Sequence, residues 1–241
     1  GRVRAAERSV LTAEVAGLVM QVAADFRVGR IFRKGEVMVE VETADYQNAL
    51  NQAEAALVEA RTALRLEEAR AEQAQADWLR LGGGREASDL TLRKPQIAAA
   101  QARVMAAEAR RAMAARDLEK TRVRAPYDCR IEKTSVELGS YLVPGQPVVE
   151  LYAARDRELT VPLGLTEYAL LQREQGQVFG DGVGYLMMGS NRLEWPVKIV
   201  RATGRIGETT SAGEVLLEAL PNEKIEADEF IMPPPGTFLR V

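Results

Sequence analysis

Two stretches of the chain share one pattern, VGRIFRKGEVMVEVE at Val28–Glu42 and LGSYLVPGQPVVELY at Leu138–Tyr152. Each ends in a run of alternating apolar residues, which is the period of a half-buried β-strand, and each contains two glycines spaced to turn the chain twice. The pattern predicts that each copy is half of a small β-sandwich. Because a half-sandwich cannot bury its apolar face alone, we expect the copies to pack on each other. The long segment between them is then an insertion.

The composition excludes several classes of function. The chain has 241 residues, of which 46% are apolar and 5% aromatic, and its net charge is −3. Acidic and basic residues are interleaved, so nucleic-acid binding is not expected. There is no histidine and only one cysteine, Cys129, which removes the commonest metal ligand and any internal disulfide. No long apolar run predicts a membrane span. Since the chain begins without methionine, we expect it to be a fragment of a longer protein.

The insertion has a seven-residue apolar period, which is typical of a coiled-coil seam. In its first half, the two apolar series are formed by Leu50, Leu57, Leu64, Ala71 and Trp78, and by Ala53, Ala60, Ala74 and Leu81. In its second half, they are formed by Ile97, Val104 and Leu118, and by Ala100, Ala107 and Ala114. Glu67 and Arg111 break the pattern. We predict an antiparallel helical hairpin with close helix contact, whose arms of about 38 residues extend roughly 55 Å.

The tip of this hairpin is marked by turn and capping residues. Three consecutive glycines, residues 82–84, end the first helix, and Ser88 or Asp89 is placed to cap the second. Pro95 has two possible consequences. It either bends the second helix near the tip or indicates that the regular helix starts near Lys94.

The last third of the chain is predicted to be a small β-barrel. Alternating apolar residues predict strands at 158–163, 177–183, 192–201 and 214–220, with a short amphipathic helix at 166–175. The terminal segment PPPGTFLRV at Pro233–Val241 is expected to end in a further strand.

The order of these segments resembles the periplasmic adaptor family of bacterial tripartite efflux pumps, also called membrane fusion or HlyD-like proteins. The similarity covers almost the whole chain, and its most specific part is RAPYD at Arg124–Asp128 followed by VELGSYLVPGQP at Val136–Pro147. It implies an elongated α+β fold. Residues 9–42 and 122–153 would form a split lipoyl-like β-sandwich, 43–121 an α-helical hairpin, and 1–8 with 154–241 a β-barrel domain. The membrane-proximal domain of many members is expected to be absent from this chain.

The resemblance also implies a function. It indicates a non-catalytic protein of the periplasm, without a cofactor, that is attached to the inner membrane in its full-length form. The implied partners are an inner-membrane transporter, an outer-membrane channel protein and further copies of the chain, assembled as a trimer or hexamer. A resistance-nodulation-division pump is the favoured system. The alternative is the adaptor of an ATP-driven exporter or of a type I secretion system.

The hairpin tip holds the expected site residues. In relatives that serve resistance-nodulation-division pumps, the tip has an arginine, a leucine four residues later and a serine seven further on. Leu81 and Ser88 match this pattern, but Asp77 stands at the first position and reverses its charge. Arg80 or Arg85 is expected to substitute. The residues expected to bind the channel are therefore Arg80, Leu81, Arg85 and Ser88.

Three other functions are less consistent with the residues. A lipoyl or biotinyl carrier presents its lysine in DKA or MKM, neither of which occurs, and Lys34 in RKG is predicted to be a solvated turn residue. The carboxylates lack the histidine or convergent spacing that acid–base or metal chemistry needs. Met187 and Met188 are adjacent in a predicted strand and would point apart, which favours packing over metal export. Cys129, where the family has glycine, is expected to be a small residue at a turn.

Overall fold

The structure is a computed structural model that describes residues 1–81, 86–166, 168–169, 179–188, 191–206, 212–222 and 232–241. This part of the chain forms two helices and three antiparallel sheets, so the predicted α+β class is confirmed. The helices are α1 (Ala44–Leu81) and α2 (Lys94–Glu119). The strands are β1 (Arg2–Ala5), β2 (Arg8–Thr12), β3 (Gly17–Val22), β4 (Ile31–Phe32), β5 (Val37–Val41), β6 (Arg122–Arg124), β7 (Cys129–Thr134), β8 (Tyr141–Leu142), β9 (Pro147–Ala153), β10 (Arg157–Leu163), β11 (Phe179–Met188), β12 (Asn191–Ile206) and β13 (Gly213–Ala219).

The short strand of each copy pairs with the strand that leads into the other copy. Two four-stranded sheets have the orders β2-β9-β7-β4 and β6-β5-β3-β8. Strand β4 of the first copy pairs with β7, where Phe32 lies opposite Cys129, and β8 of the second copy pairs with β3, where Tyr141 lies opposite Leu18. The copies do pack on each other, as predicted. However, neither copy is one half of the sandwich, since each contributes strands to both sheets.

One apolar core fills the space between these sheets, and both copies supply it. Its fully buried side chains include Phe32, Met38, Val39 and Val41 from the first copy, Leu142, Val149 and Leu151 from the second, and Ile131 from the strand that leads into the second copy. The turns beside them use matched glycines. Gly29, Gly35, Gly139 and Gly145 have φ between 81° and 90°, a left-handed conformation that glycine adopts without steric cost. The predicted glycine turns are therefore confirmed.

Helices α1 and α2 form the insertion between β5 and β6. They have 38 and 26 residues, which corresponds to about 57 and 39 Å at 1.5 Å per residue. The predicted arm length is right for α1, whereas α2 starts later. Arg93, just before α2, has φ 55°, and Pro95 lies in the first turn, where no intrahelical N–H bond is lost. Of the two consequences foreseen for Pro95, the helix start near Lys94 is therefore the correct one.

The third sheet is a curled half-barrel with the order β1-β10-β13-β12-β11. Its inner face carries a second core around the buried Trp195, with Val3, Leu159, Val215, Leu217 and Leu239. The C-terminal segment joins its two edges, because Phe238 pairs with Arg2 of β1 and Arg240 with Tyr185 of β11. Of the helix predicted at 166–175, residues 166, 168 and 169 are helical, as is residue 165 just before it, and residues 167 and 170–175 lie outside the described residues.

Within the described ranges, no helix is both long enough and apolar enough to cross a membrane. In α1 and α2, charged residues recur along the whole helix.

Candidate partner-binding surfaces on the helical hairpin

The apolar seam predicted from the seven-residue period lies between α1 and α2. Leu50, Leu57, Leu64 and Trp78 are half-buried, whereas the residues that flank them in α1 are mostly exposed. In α2 the only buried residues are Ala100 and Ala107, both at predicted seam positions. Alanine allows close approach of two helices but removes little apolar surface from water. The hairpin therefore has a narrow seam.

Ion pairs between the helices occupy the two breaks in the seam. At the first break, the Arg93 guanidinium donates two hydrogen bonds to Oε2 of Glu67 at 2.5 and 3.1 Å. At the second, Arg111 donates two to Oε1 of Glu54 at 3.1 and 3.2 Å. Hydrogen bonds from Arg93 and then from Arg70 lower the pKa of Glu67. Glu54 and Arg111 lie on opposite helices, and Glu67 of α1 is bonded to the residue just before α2, so these pairs fix the register of the hairpin.

Ser88 has an internal role at the tip. Its Oγ accepts a hydrogen bond from the Thr91 backbone N–H at 3.2 Å and lies 2.8 Å from the Thr91 hydroxyl. A backbone bond from Leu92 N–H to the Ser88 carbonyl closes one helical turn ahead of α2. Ser88 caps this separate turn and not α2. The prediction that Ser88 or Asp89 caps the second helix is therefore wrong, because α2 begins later and its N-cap residue is Arg93.

The other tip residues that were expected to bind the channel differ in exposure and in the bonds they already make. Arg80 donates to the Asp77 carboxylate at 2.8 Å. The residue expected to substitute for the missing arginine therefore forms an ion pair with Asp77, the residue that stands at the arginine's position. Leu81 is the last residue of α1 and is 77% exposed. Arg85 lies outside the described residues. The structure therefore presents Leu81 to solvent and engages Arg80 and Ser88 in local bonds.

Two further leucines were not identified from the sequence. Leu79 and Leu90 are 79% and 70% exposed, and both belong to the same end of the hairpin as Leu81. Exposed leucines grouped at one end of a helical element are unusual for a surface that contacts only water. Leu79 lies off the seven-residue series and Leu90 lies in a turn, so the seam pattern could not reveal either residue.

Both helices also carry an apolar face that points away from the seam. On α2 it consists of Ala98, Ala102, Met105, Ala109 and Met113, spaced by three and four residues roughly opposite the buried alanines. On α1 it consists of Ala55, Val58, Thr62, Leu66 and Ala69. Met105, Met113, Val58 and Leu66 are all more than half exposed. The sequence contained this signal as a second stripe at helical spacing.

The base of the hairpin is bonded to the sandwich on both sides. On α1, the Tyr46 hydroxyl donates to the Ala16 carbonyl at 2.7 Å, and desolvation raises the pKa of Tyr46. After α2, the Lys120 ammonium lies 3.4 Å from the Glu14 carboxylate. The buried Thr121 accepts a backbone hydrogen bond from Val41. These bonds define the angle at which the hairpin leaves the sandwich.

Residues considered for chemistry do not form a reactive site in the described part of the chain. Cys129 lies in strand β7 and not at a turn, which corrects the sequence-based expectation, and it is fully buried. This burial is the main cause that raises the pKa of its thiol to about 11. Nowhere in the described ranges do three or more acidic, cysteine or histidine side chains converge as metal ligands would. Lys34 is exposed in a turn, as predicted.

Comparisons with known proteins identify the fold. No family model matches the chain, and no curated protein matches it. Among solved structures, it is similar to a candidate efflux transporter of Bacteroides eggerthii DSM 20697, with 18% identity, a TM-score of 0.63, and coverage of 91% of this chain and 60% of that one. The chain thus spans about three fifths of that relative.

Two further structures extend the likeness. The membrane fusion protein Spr0693 of Streptococcus pneumoniae R6 has 14% identity and a TM-score of 0.63, covering 94% of this chain and 92% of the other. A MacA-MexA chimera that contains the Pseudomonas aeruginosa MexA α-hairpin domain has 18% identity and a TM-score of 0.60, with coverage of 95% and 73%. The chain therefore has the fold of the membrane fusion proteins, the periplasmic adaptors that its sequence resembles.

Proposed function

We propose that this chain is a periplasmic adaptor subunit that links an inner-membrane transporter to an outer-membrane channel in a tripartite efflux complex. The observation that carries the proposal is the hairpin with apolar faces on both outward sides. A hairpin that acted only as a rigid spacer would need one apolar seam, and its remaining surface would be polar. Two additional apolar faces indicate that further helices pack on each side.

Side-by-side packing of several copies satisfies both outward faces. The Met105 face of α2 in one copy would contact the Val58 face of α1 in the next, which is a head-to-tail contact between different surfaces. Such heterologous contacts close into rings when the rotation between copies is a fraction of a full turn. The hairpins would then form the wall of a tube, with a trimer or hexamer as its closed form. The protein acts by enclosing a path and has no catalytic role.

The two ends of the molecule are assigned to different partners. The exposed leucines at the hairpin tip are available to contact the outer-membrane channel, with Leu81 at the position expected from the family pattern. At the other end, the sandwich is a lipoyl-like domain that completes the ring, and the half-barrel sheet is a β-barrel domain that meets the inner-membrane transporter. The proposal places the chain in the periplasm, attached to the inner membrane in the full-length protein.

In-cell photocrosslinking of the full-length protein tests this proposal. A photoreactive residue at Leu90 on the tip should capture an outer-membrane channel protein, identified by mass spectrometry. The same residue at Glu72, which is exposed on the shaft of α1, is the matched control and should not capture it. A third position, Val183 on β11, should capture the transporter. A proton-driven pump there would identify a resistance-nodulation-division system, and an ATPase would identify the alternative exporter class.

The tip-docking assignment would be wrong if Leu90 captured only copies of the chain, or nothing, in cells where the protein is abundant and folded. Capture of a transporter from Val183 with no channel from Leu90 would leave a two-component assembly in place of the proposed tripartite one.

A further inference from the structure

Arg157 is a buried arginine whose hydrogen-bond acceptors, among the described residues, are backbone carbonyl oxygens. Its side chain is 4% exposed. The guanidinium donates to the backbone carbonyls of Ala153, Ala154, Asp156 and Pro233, and it lies 5.4 Å from the centre of the Tyr152 ring. No carboxylate in the described ranges forms a salt bridge with it. Desolvation lowers the pKa of Arg157, but a guanidinium remains protonated in proteins, so a buried positive charge is held here mainly by backbone carbonyls.

This position is the joint between the sandwich and the half-barrel sheet. The chain crosses between them twice, once from β1 to β2 and once from β9 to β10. The two crossings are bonded to each other, because Ala6 N–H donates to the Asp156 carbonyl and Ala153 N–H donates to the Glu7 carbonyl. The crossing from β9 to β10 is longer by one residue, and the carbonyls of Ala154 and Asp156 within it accept hydrogen bonds from the Arg157 guanidinium.

The guanidinium supplies donors for those carbonyls from a single planar group. Ala153 is the last residue of β9 in the sandwich, whereas Pro233 begins the C-terminal segment that pairs with β1 through the Val3 N–H and Thr237 carbonyl bond. A buried carbonyl without a donor is costly. Rotating one sheet relative to the other would separate Ala153 from Pro233, and the rigid fork could no longer reach both.

We propose that Arg157 is a latch that holds the sandwich and the half-barrel sheet in one relative orientation. With the latch in place, the two bodies move as one. Without it, the two chain crossings and the backbone bonds between them remain in the described part of the chain, and the half-barrel sheet tilts. The inference concerns the geometry of this chain and does not depend on its partners.

Distance measurements between the two bodies test the latch in the full chain. Nitroxide labels at Ser135→Cys in the sandwich and Glu218→Cys on β13 use two exposed positions, and the fully buried Cys129 does not take up the label. Double electron–electron resonance should give one narrow distance distribution. Arg157→Gln should broaden it, whereas Arg155→Gln, which removes an exposed charge two residues away, should leave it unchanged.

Hydrogen exchange separates release of the latch from loss of the fold. In Arg157→Gln, the amides of Ala6 and Ala153 should exchange faster, while those of the sandwich core strands retain their protection. If this variant does not fold, Arg157→Lys is used instead, because a single ammonium cannot span Ala153 and Pro233, and the same broadening is expected. A narrow distribution in a folded Arg157 variant, or equal broadening in Arg155→Gln, would overturn the inference.

Discussion

Replacing Phe32 by alanine should destabilise both copies of the repeat at once. Phe32 is 1% exposed and lies in a two-residue strand of the first copy that pairs with β7, the strand that leads into the second copy. Truncating a fully buried phenylalanine typically costs about 3–5 kcal/mol, because apolar contacts are lost and a cavity remains. The neighbouring Ile31 is 45% exposed in the same strand, so Ile31→Ala is a matched control with an expected cost of less than about 1 kcal/mol.

Native-state hydrogen exchange is the appropriate assay, because the helices dominate circular dichroism and the three parts of the chain need not unfold together. A loss of 3–5 kcal/mol speeds exchange through global opening by roughly a hundredfold to a few thousandfold. In Phe32→Ala this acceleration should reach the protected amides of β7 and β9 as well as those of β5. Leu142→Ala, the equivalent change in the second copy, should likewise speed the exchange of the protected amides of β3 and β5.

Two outcomes would refute the reasoning. If the faster exchange in Phe32→Ala stayed within the first copy, the copies would be independent and the exchanged strands would contribute little. If Ile31→Ala cost as much as Phe32→Ala, the effect would come from disturbing the strand and not from the core.

Further predictions concern the hairpin and the single thiol. The lowered pKa of Glu67 means that its stabilising contribution is present at neutral pH and is lost as the pH falls through its folded-state pKa. The wild-type helices should therefore melt at a lower temperature in acid, as followed by circular dichroism. Glu67→Gln should abolish this drop, whereas Glu72→Gln, at an exposed position, should retain it. Met105→Glu should prevent self-association in sedimentation experiments, since it places a charge in the outward apolar face of α2, whereas Arg103→Glu, on the charged side of the helix, should not. Cys129 should react with a thiol reagent far more slowly in the folded chain than in denaturant at the same pH, because its thiol is buried and its pKa is about 11. An acid-induced drop in melting temperature that persists in Glu67→Gln, assembly by Met105→Glu, or equal thiol rates would contradict these expectations in turn.

Much of the fold could be predicted because local chemistry determines it. The left-handed turns at the repeated glycines follow from steric limits that any other residue would meet. The seam follows from a helical period that tertiary structure does not change. The exchange of β4 and β8 could not be predicted in the same way. Each strand is only two residues long, so its partner is selected by the shared core and not by any pattern in its own sequence.

The site was harder to predict because its residues act through groups that sequence patterns do not reveal. Glu67 and Arg111 interrupt the seam and therefore look like defects until the facing helix supplies their partners. Ser88 fits a family pattern for channel contact, yet its hydroxyl is used in a local turn. The bonds that Arg157 makes to described residues go to main-chain carbonyls, which every residue has, so nothing in the sequence distinguishes it from an arginine on the surface.

The weakness of the seam connects the shape of the hairpin to its proposed assembly. No residue of the 38-residue α1 is buried, and an alanine seam removes little apolar surface from water. Helices in water depend on tertiary packing for most of their stability, so this hairpin has little stabilisation of its own. The Arg111–Glu54 ion pair helps to set its register but, being half-exposed, adds little free energy. Packing of its outward faces against neighbouring copies would supply the missing burial, so that the hairpin becomes rigid only when the tube forms.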